Sequence, residues 1–566
     1  MSTASTKTNT QNPAAAVNQS GAELLVKNLE AQGVEYIFGI PGAKIDKVFD
    51  TLVDSKIKTV LCRHEQNAAF IAAGIGRMTS KAGVCIGTSG PGASNLVTGL
   101  ATATSEGDPV VALGGATTVA NRLKRVHQAM DTVSIFKPVT KYSAEVNSTD
   151  AISEVVADAF RAAESGRPGA SFVSLPMNIM AAPAAGDVLT PVKPDLLGAA
   201  DEQSLHAAAS AINRANNPVV LLGMLASQQQ TADAIRLFLK QTGLPVVSTY
   251  QAAGVVSQDL FSQFGGRVGL FHNQSGDRLL DAADVVITVG YDPIEYDTVL
   301  WNKGKRGRII HIDAVRPDSD KHYKPEVELI GNVSATLARL TKKVNPITQG
   351  QNLEILSEIA MERALFAERA AQMHRTPIHP MRLVHELQLL MSADMTVCLD
   401  MGSFHIWLAR YLYSFRARQV LITNGQQTMG VGLPWAIAAS LVRPSEKVIS
   451  ISGDGGFMFS SMELETAVRL NCNLVHLVWM DGHYDMVRFQ QVAKYGREAA
   501  VQFGPVDVAG IARACGAHGM MIQRPEEITP TLRKALEMQG PVVIGVPVDY
   551  SDNHKLMEIM HPGMLN

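Results

Sequence analysis

Asp454 stands between glycines in "SISGDGGFMF", directly after an apolar run and directly before a helix-like segment. A carboxylate with bare backbone beside it can close an ordinary Asp-Gly turn. It can also hold a cation while the glycines let a phosphate approach the N–H groups that open the helix, whose positive end favours anions. Asp481 adds to the second reading, because it ends the next apolar run, "NLVHLVWMDGHY", 27 residues downstream. Mg2+ takes octahedral oxygen ligands and shares them with phosphates, so two carboxylates at neighbouring strand ends suit a Mg2+ and phosphate site. Two ordinary turn aspartates remain the alternative. The five cysteines (Cys62, Cys85, Cys398, Cys472, Cys515) are scattered and never spaced as CxxC, which points to buried thiols rather than a disulfide framework or a zinc site.

Those aspartates need strands to carry them. Short β-branched runs alternate with helix-length segments along all 566 residues, the pattern of parallel sheets covered by helices on both faces. The predicted class is α/β, with three doubly wound parallel-sheet domains, in line with about 100 to 200 residues per domain. The first series of strands fills residues 21–185, the second 200–345 and the third 381–550, with a charged connector at 346–380. Segments 1–20 and 551–566 read as tails, the first of them disordered. Ligands are expected where the strands end. Hydrophobic residues make up 46% of the chain, charged residues 18%, and the net charge is -3. No basic surface recommends nucleic acid or anionic lipid, and small ligands are the expected partners. The N-terminus lacks the apolar core of a signal peptide and no run of about 18 apolar residues occurs, so a cytoplasmic protein is expected.

"GDGG" followed by a second oxygen ligand resembles the binding motif of the thiamine-diphosphate enzymes. "FGIPGAKID", "RHEQNAAF", "TSGPGASN", "GDPVVALGG", "NGQQTMGVGLPWAI" and "SMELETAVRL" extend the resemblance over essentially the whole chain. It is closest to the acetolactate synthases, in particular the catabolic branch that works without FAD. The resemblance implies the thiamine-diphosphate-binding fold, with a pyrimidine-binding first domain and a diphosphate- and Mg-binding third domain. It also implies that Asp454, Asp481 and the backbone carbonyl of His483 hold Mg2+ on the cofactor's diphosphate. This chain reads Asp481-Gly482-His483 where the family commonly has an Asn-rich turn, but a carbonyl ligand does not depend on side-chain identity. Gly402, Ser403, Phe404, His405, Gln426, Gly455 and Gly456 are carried over as further cofactor contacts. Phe404 and His405 also suit plain packing at a helix start.

Thiamine chemistry starts with loss of a proton from the thiazolium ring, assisted by a carboxyl group that bonds the cofactor's pyrimidine. Such a carboxyl should be poorly solvated. Glu65, heading the small-residue segment "NAAFIAAGIG", takes that role by resemblance. Because Glu65 lies in the first domain and the metal pair in the third, and relatives draw them from different subunits, a homodimer is the implied minimal unit and a homotetramer the implied assembly. Met429 resembles the large apolar residue that props the cofactor in a bent shape, although alone it would read as a core methionine. Gln128 resembles the glutamine that reaches the site from the first domain. Lys44 can attract a carboxylate, and a solvated surface lysine fits it as well.

The biosynthetic branch carries an Arg/Asp-rich segment after the central strand, where this chain has "VGYDPIEYDTVLW". Without those arginines FAD is not expected, although Arg167 remains in a segment that contributes to FAD binding in relatives. Gln490 replaces the tryptophan that contacts the extra methyl of 2-ketobutyrate, which leaves pyruvate as the expected acceptor. The implied reaction is condensation of two pyruvates to 2-acetolactate and CO2, feeding acetoin and butanediol formation. Another thiamine enzyme, a pyruvate decarboxylase or oxidase, is the nearest rival, followed by a non-catalytic homologue. A Rossmann dehydrogenase is disfavoured because no GxGxxG follows the first strand.

Overall fold

The computed structural model describes residues 19–192, 197–304, 307–318 and 320–556. The expected tails fall mostly outside these residues. Gln19 and Ser20, assigned to the disordered tail in the sequence reading, are instead ordered: they pair antiparallel with Ala184 and Pro183. Ser20 also caps α1 (Gly21–Ala31) through a reciprocal Ser20–Glu23 box.

Three six-stranded sheets carry the molecule. The first contains β1 (Tyr36–Gly39), β2 (Lys58–Leu61), β3 (Gly83–Gly87), β4 (Val110–Ala116), β5 (Tyr142–Glu145) and β6 (Ala170–Pro176), in the order β2-β1-β3-β4-β6-β5. The second contains β7 (Pro218–Leu222), β8 (Val246–Thr249), β9 (Phe264–Val268), β10 (Val285–Val289), β11 (Arg308–Asp313) and β12 (Val327–Ile330), in the order β9-β8-β7-β10-β11-β12. The third contains β13 (Met395–Leu399), β14 (Val420–Ile422), β15 (Lys447–Gly453), β16 (Leu474–Met480), β17 (His518–Met521) and β18 (Val542–Pro547), in the order β14-β13-β15-β16-β18-β17. All pairs within these sheets are parallel. Central strands such as β3, β7 and β10 are buried along their whole length, so they must read as continuous apolar runs rather than alternating ones.

The first and third sheets share one strand order, and the second has the dinucleotide-fold order. In each, the order reverses beside the first strand, and the crevice at the carboxyl ends of the strands flanking that reversal is where an open α/β sheet receives a ligand. In the first sheet the reversal lies between β1 and β3, in the second between β7 and β10, and in the third between β13 and β15.

The helices used below are α2 (Glu65–Thr79), the connector α3 (Gln351–Ala371), α4 (Ser403–Tyr411), α5 (Gly432–Val442), α6 (Asp454–Ser460), α7 (Glu463–Arg469) and α8 (Asp485–Tyr495). The first and third domains join through α2 and α5. Gly432 to Ser440 of α5 are all buried, so this helix is apolar all round rather than amphipathic. A Cβ on Gly74 would lie 2.7 Å from Ala438 Cβ, so small residues are what allow the two helices to touch. Arg77 seals the joint: its guanidinium lies 4.2 Å from the Trp435 ring, pairs with Asp108 at 2.8 Å and Glu106 at 3.1 Å, and donates to Ile422 O at 2.8 Å.

Candidate active site

β15 delivers Asp454 to the first position of α6, 4% exposed. Its Oδ1 accepts from Gly455 N at 3.0 Å, and its Oδ2 accepts from Gly482 N at 2.8 Å and Asp481 N at 3.2 Å. One carboxylate therefore ties the ends of β15 and β16 together. Asp481, at the end of β16, has a buried Oδ2 with no hydrogen-bond partner among the described residues. Burial, with Asp454 and Asp485 nearby, pushes the Asp481 carboxyl up to about 8. Asp485, at the start of α8, accepts from Ser403 Oγ and Asn553 Nδ2, both at 2.6 Å. Burial raises both Asp454 and Asp485. Crowded, desolvated carboxylates with an orphaned oxygen are what a divalent cation relieves.

These residues border a cleft of about 600 Å³ at the reversal of the third sheet. Its floor is bare backbone: a Cβ on Gly455 would meet Tyr484 at 2.6 Å, and one on Gly456 would meet Asp400 Oδ2 at 3.1 Å. Gly402, Ser403, Phe404, Met429, Gln490 and His483 also line it. The His483 ring is turned back on Asp481, with Nδ1 2.7 Å from the Asp481 carbonyl oxygen. Met429 sits on a loop held at both ends. Glu106 Oε1 accepts from Thr423 Oγ1 at 2.8 Å and Gly425 N at 2.9 Å, and Asp400 Oδ1 accepts from Gly430 N at 2.8 Å.

Two expected contacts lie elsewhere in the structure. Gln426 is exposed and donates from Nε2 to Ser105 Oγ at 2.8 Å, whereas its neighbour Gln427, with φ +52°, lines the cleft. His405 is fully buried behind the cleft, its Nε2 3.0 Å from Thr423 O and its ring packed edge-on against Tyr250. Burial holds that imidazole down at about 4.

Glu65, Gln128 and Lys44 gather in the first domain instead, around the turn after β3. Glu65 opens α2 and is 7% exposed, with Asn95 Nδ2 donating to its Oε2 at 2.9 Å. Gly87 and Gly92 leave room for it, since a Cβ on Gly92 would stand 3.2 Å from Oε1. Gln128, at φ +59°, places its Oε1 3.0 Å from Ser89 Oγ. Lys44 is half-buried beside Gly115, where an added Cβ would lie 3.4 Å from its own Cβ. Among the described residues, none of these three borders the cleft of its own chain.

Asp485, Asp400, Gln427, Tyr550 and Asn553 went unnoticed in the sequence. Asp400 had a signal, because it follows the apolar run "MTVCL" and stands two residues before a glycine, near the pattern at Asp454. Asp485 stands one helical turn after Asp481, and the others carry no local mark.

The donor set fits Mg2+ with a diphosphate. Among the described residues no group of three or more His, Cys, Asp or Glu side chains forms a closed metal cage. Two carboxylates and backbone oxygen, completed by phosphate and water, is the set Mg2+ ordinarily uses. Comparison with known proteins gives the family. The chain matches the thiamine pyrophosphate enzymes in three parts: the N-terminal TPP binding domain at residues 19–135, the central domain at 205–340 and the C-terminal TPP binding domain at 400–546. It is 52% identical over 546 residues to "Acetolactate synthase, catabolic" of Raoultella terrigena, covering 96% of this chain and 97% of that one. It is 48% identical to "Acetolactate synthase" of Bacillus subtilis (strain 168), covering 95% of each. To "Acetolactate synthase isozyme 2 large subunit" of Escherichia coli (strain K12) it is 31% identical, covering 97% and 98%.

Proposed function

The chain belongs to the thiamine pyrophosphate enzymes and, within them, to the acetolactate synthases, and we propose on that premise that it converts two pyruvates to 2-acetolactate and CO2. The observation that carries the site assignment is the buried Asp481 Oδ2, without a hydrogen bond among the described residues, beside Asp454 at the head of a glycine-floored cleft. Asp454, Asp481 and the His483 carbonyl would hold Mg2+, and the glycines of α6 with Gly402 and Ser403 would receive the diphosphate. Thiamine diphosphate supplies an electron sink for loss of CO2 from a 2-keto acid. The protein contributes position and dryness. Glu65 is fixed by Asn95 on one oxygen, so the other is the atom it offers to the pyrimidine. Met429, on its doubly anchored loop, would support the bent cofactor.

Because Glu65, Gln128 and Lys44 lie away from the cleft of their own chain, we place them in the cleft of a second copy. A homodimer is then the smallest active unit, and a homotetramer is the proposed assembly. Free thiols at all five cysteines suit a reducing compartment, so the cytoplasm is the proposed location. No helix of the described residues is long and apolar enough to cross a membrane.

No working FAD is proposed. At the reversal between β7 and β10, Glu295 accepts from Met224 N at 2.8 Å and Thr249 Oγ1 at 2.6 Å. A Cβ on Gly223 would lie 2.7 Å from its Oε2, so the carboxylate already takes the backbone donors a dinucleotide would need. Arg167 is paired with Asp292 at 2.9 Å.

The test is to incubate purified protein with pyruvate, thiamine diphosphate and Mg2+ and measure acetolactate by its acid conversion to acetoin. Acetaldehyde or acetate as the product would assign the chain to a different thiamine chemistry. Gln490, on α8, borders the cleft and bears on the acceptor. A tryptophan there would add apolar contact worth about 1 to 3 kcal/mol for one methylene, so Gln490→Trp should raise use of 2-ketobutyrate over pyruvate roughly tenfold or more. An unchanged product ratio would remove Gln490 from acceptor selection.

A further inference from the structure

Glu463 is the first residue of α7, fully buried, and it borders neither the cleft nor the Asp454–Asp481 pair. It nevertheless reaches into the first domain. Its Oε1 accepts from Arg63 N at 2.9 Å, His64 N at 3.1 Å and Asn67 Nδ2 at 3.3 Å, while Thr466 Oγ1 donates to Oε2 at 2.7 Å. Two of those donors are the backbone groups immediately before Glu65, and the third lies two residues after it. The N-cap of α2 is closed separately, by His64 Nδ1 accepting from Gln66 N at 3.1 Å. The Arg63 guanidinium turns away, towards Glu465 at 4.0 Å.

Burying a carboxylate without a cation is costly unless its lone pairs are met, and here three of its four hydrogen-bond donors among the described residues flank Glu65. Satisfying two backbone N–H groups needs only a neutral oxygen, which water or a local hydroxyl supplies at most strand-to-helix turns. A charged group from a distant domain does more: it holds the turn against the third domain. We infer that Glu463 is a positioning residue that fixes the main chain at Glu65, completing from behind what Asn95, Gly87 and Gly92 do for the side chain. Since α6 begins at Asp454 and α7 follows directly, the same helix pair joins the diphosphate end of the third domain to the Glu65 turn. The inference rests on the proposed role of Glu65 and adds the residue that sets its place.

The experiment compares wild type, Glu463→Gln and Glu463→Asp. The glutamine is isosteric and uncharged, and the aspartate keeps the charge but withdraws it by one methylene. Both should bind thiamine diphosphate and Mg2+ at wild-type stoichiometry. Displacing a proton-sharing group by about 1 Å costs up to 10²-fold in rate. A kcat reduced by about 10- to 100-fold, with KM for pyruvate within about twofold, is therefore expected for Glu463→Gln, and a smaller loss for Glu463→Asp. The circular-dichroism band of the bound cofactor's imino tautomer should weaken in parallel, and the amides of Arg63 and His64 should exchange hydrogen faster. Cofactor-loaded variants with wild-type kcat and imino band would overturn the inference, as would a rate loss that merely follows the loss of bound cofactor. If Glu463→Gln does not fold, Glu463→Asp is read against wild type by the same criteria. Should wild type itself form no acetolactate, the functional proposal fails, and the clamp is judged by amide exchange alone: unchanged protection at residues 63 and 64 refutes it.

Discussion

Asp454, Asp481, Asp485 and Asp400 crowd one strand-end crevice, and each solves its burial differently. Asp454 and Asp485 take N–H and O–H donors on their oxygens. Asp400 accepts from Met401 N at 2.7 Å and Gly430 N at 2.8 Å, although burial still pushes it up to about 7. Of these four, only Asp481 keeps a buried oxygen without a hydrogen bond among the described residues, which is why we propose the metal there. At Glu65 the constraint is space. A methyl on Gly92 would stand 3.2 Å from Glu65 Oε1 and 2.7 Å from Thr88 Cγ2. Gly92→Ala should therefore shift the carboxyl and lower kcat by about tenfold or more at saturating cofactor, measured as steady-state acetolactate formation. An unaltered kcat would show that Glu65 tolerates displacement.

Strand order decides which residue ends face one another. In both outer sheets the reversal follows the first strand, so the loops after β1 and β3, and those after β13 and β15, meet at equivalent places. One holds Lys44 and the turn at Gly92 against which Glu65 packs, the other Ser403 and Asp454. The interior of the third sheet also carries a titrating group. His476, in β16, is fully buried with Nε2 2.9 Å from Ser452 Oγ, and burial alone holds its imidazole down at about 3. The unfolded chain binds a proton near pH 6.5, its ordinary value, and the folded chain does not. Stability from this residue is thus fully present above pH 6.5 and is lost as pH falls through the window towards 3. Glutamine keeps a partner for Ser452 without that proton. Glu and Asp terms being common to both proteins, His476→Gln should flatten the slope of unfolding free energy by about 1.4 kcal/mol per pH unit between about pH 4.5 and 6. Urea titrations across that range measure it, and equal slopes would mean that His476 does not stay neutral in the folded chain.

In the whole molecule the α2–α5 joint, with Arg77 spanning Glu106, Asp108, Trp435 and Ile422, sets the first domain firmly against the third. That joint brings the Glu65 turn to Glu463 rather than to the cleft of the same chain, which is the ground for proposing that a second chain completes the site. Glu65→Gln and Asp454→Ala proteins, each inactive alone, should regain up to about a quarter of wild-type activity per site when co-refolded at equal amounts, by mass action among hybrid dimers. No recovery despite demonstrated subunit exchange would place both halves in one chain.

Much of this was legible in the chain itself. Parallel strands covered on both faces must be continuous apolar runs, so three α/β series and their strand ends stand out, and a glycine-flanked aspartate after such a run marks a ligand crevice whatever follows. The capping box at Ser20 and Glu23 is equally local. What no window could show is the direction of a side chain within a loop or a partner hundreds of residues away. Gln427 rather than Gln426 faces the cleft because of one left-handed backbone angle, and His405 turns inward because Thr423 and Tyr250 lie behind it. Glu106 and Glu463 look like ordinary helical acids until tertiary packing removes their water and presents the backbone of another domain as the replacement.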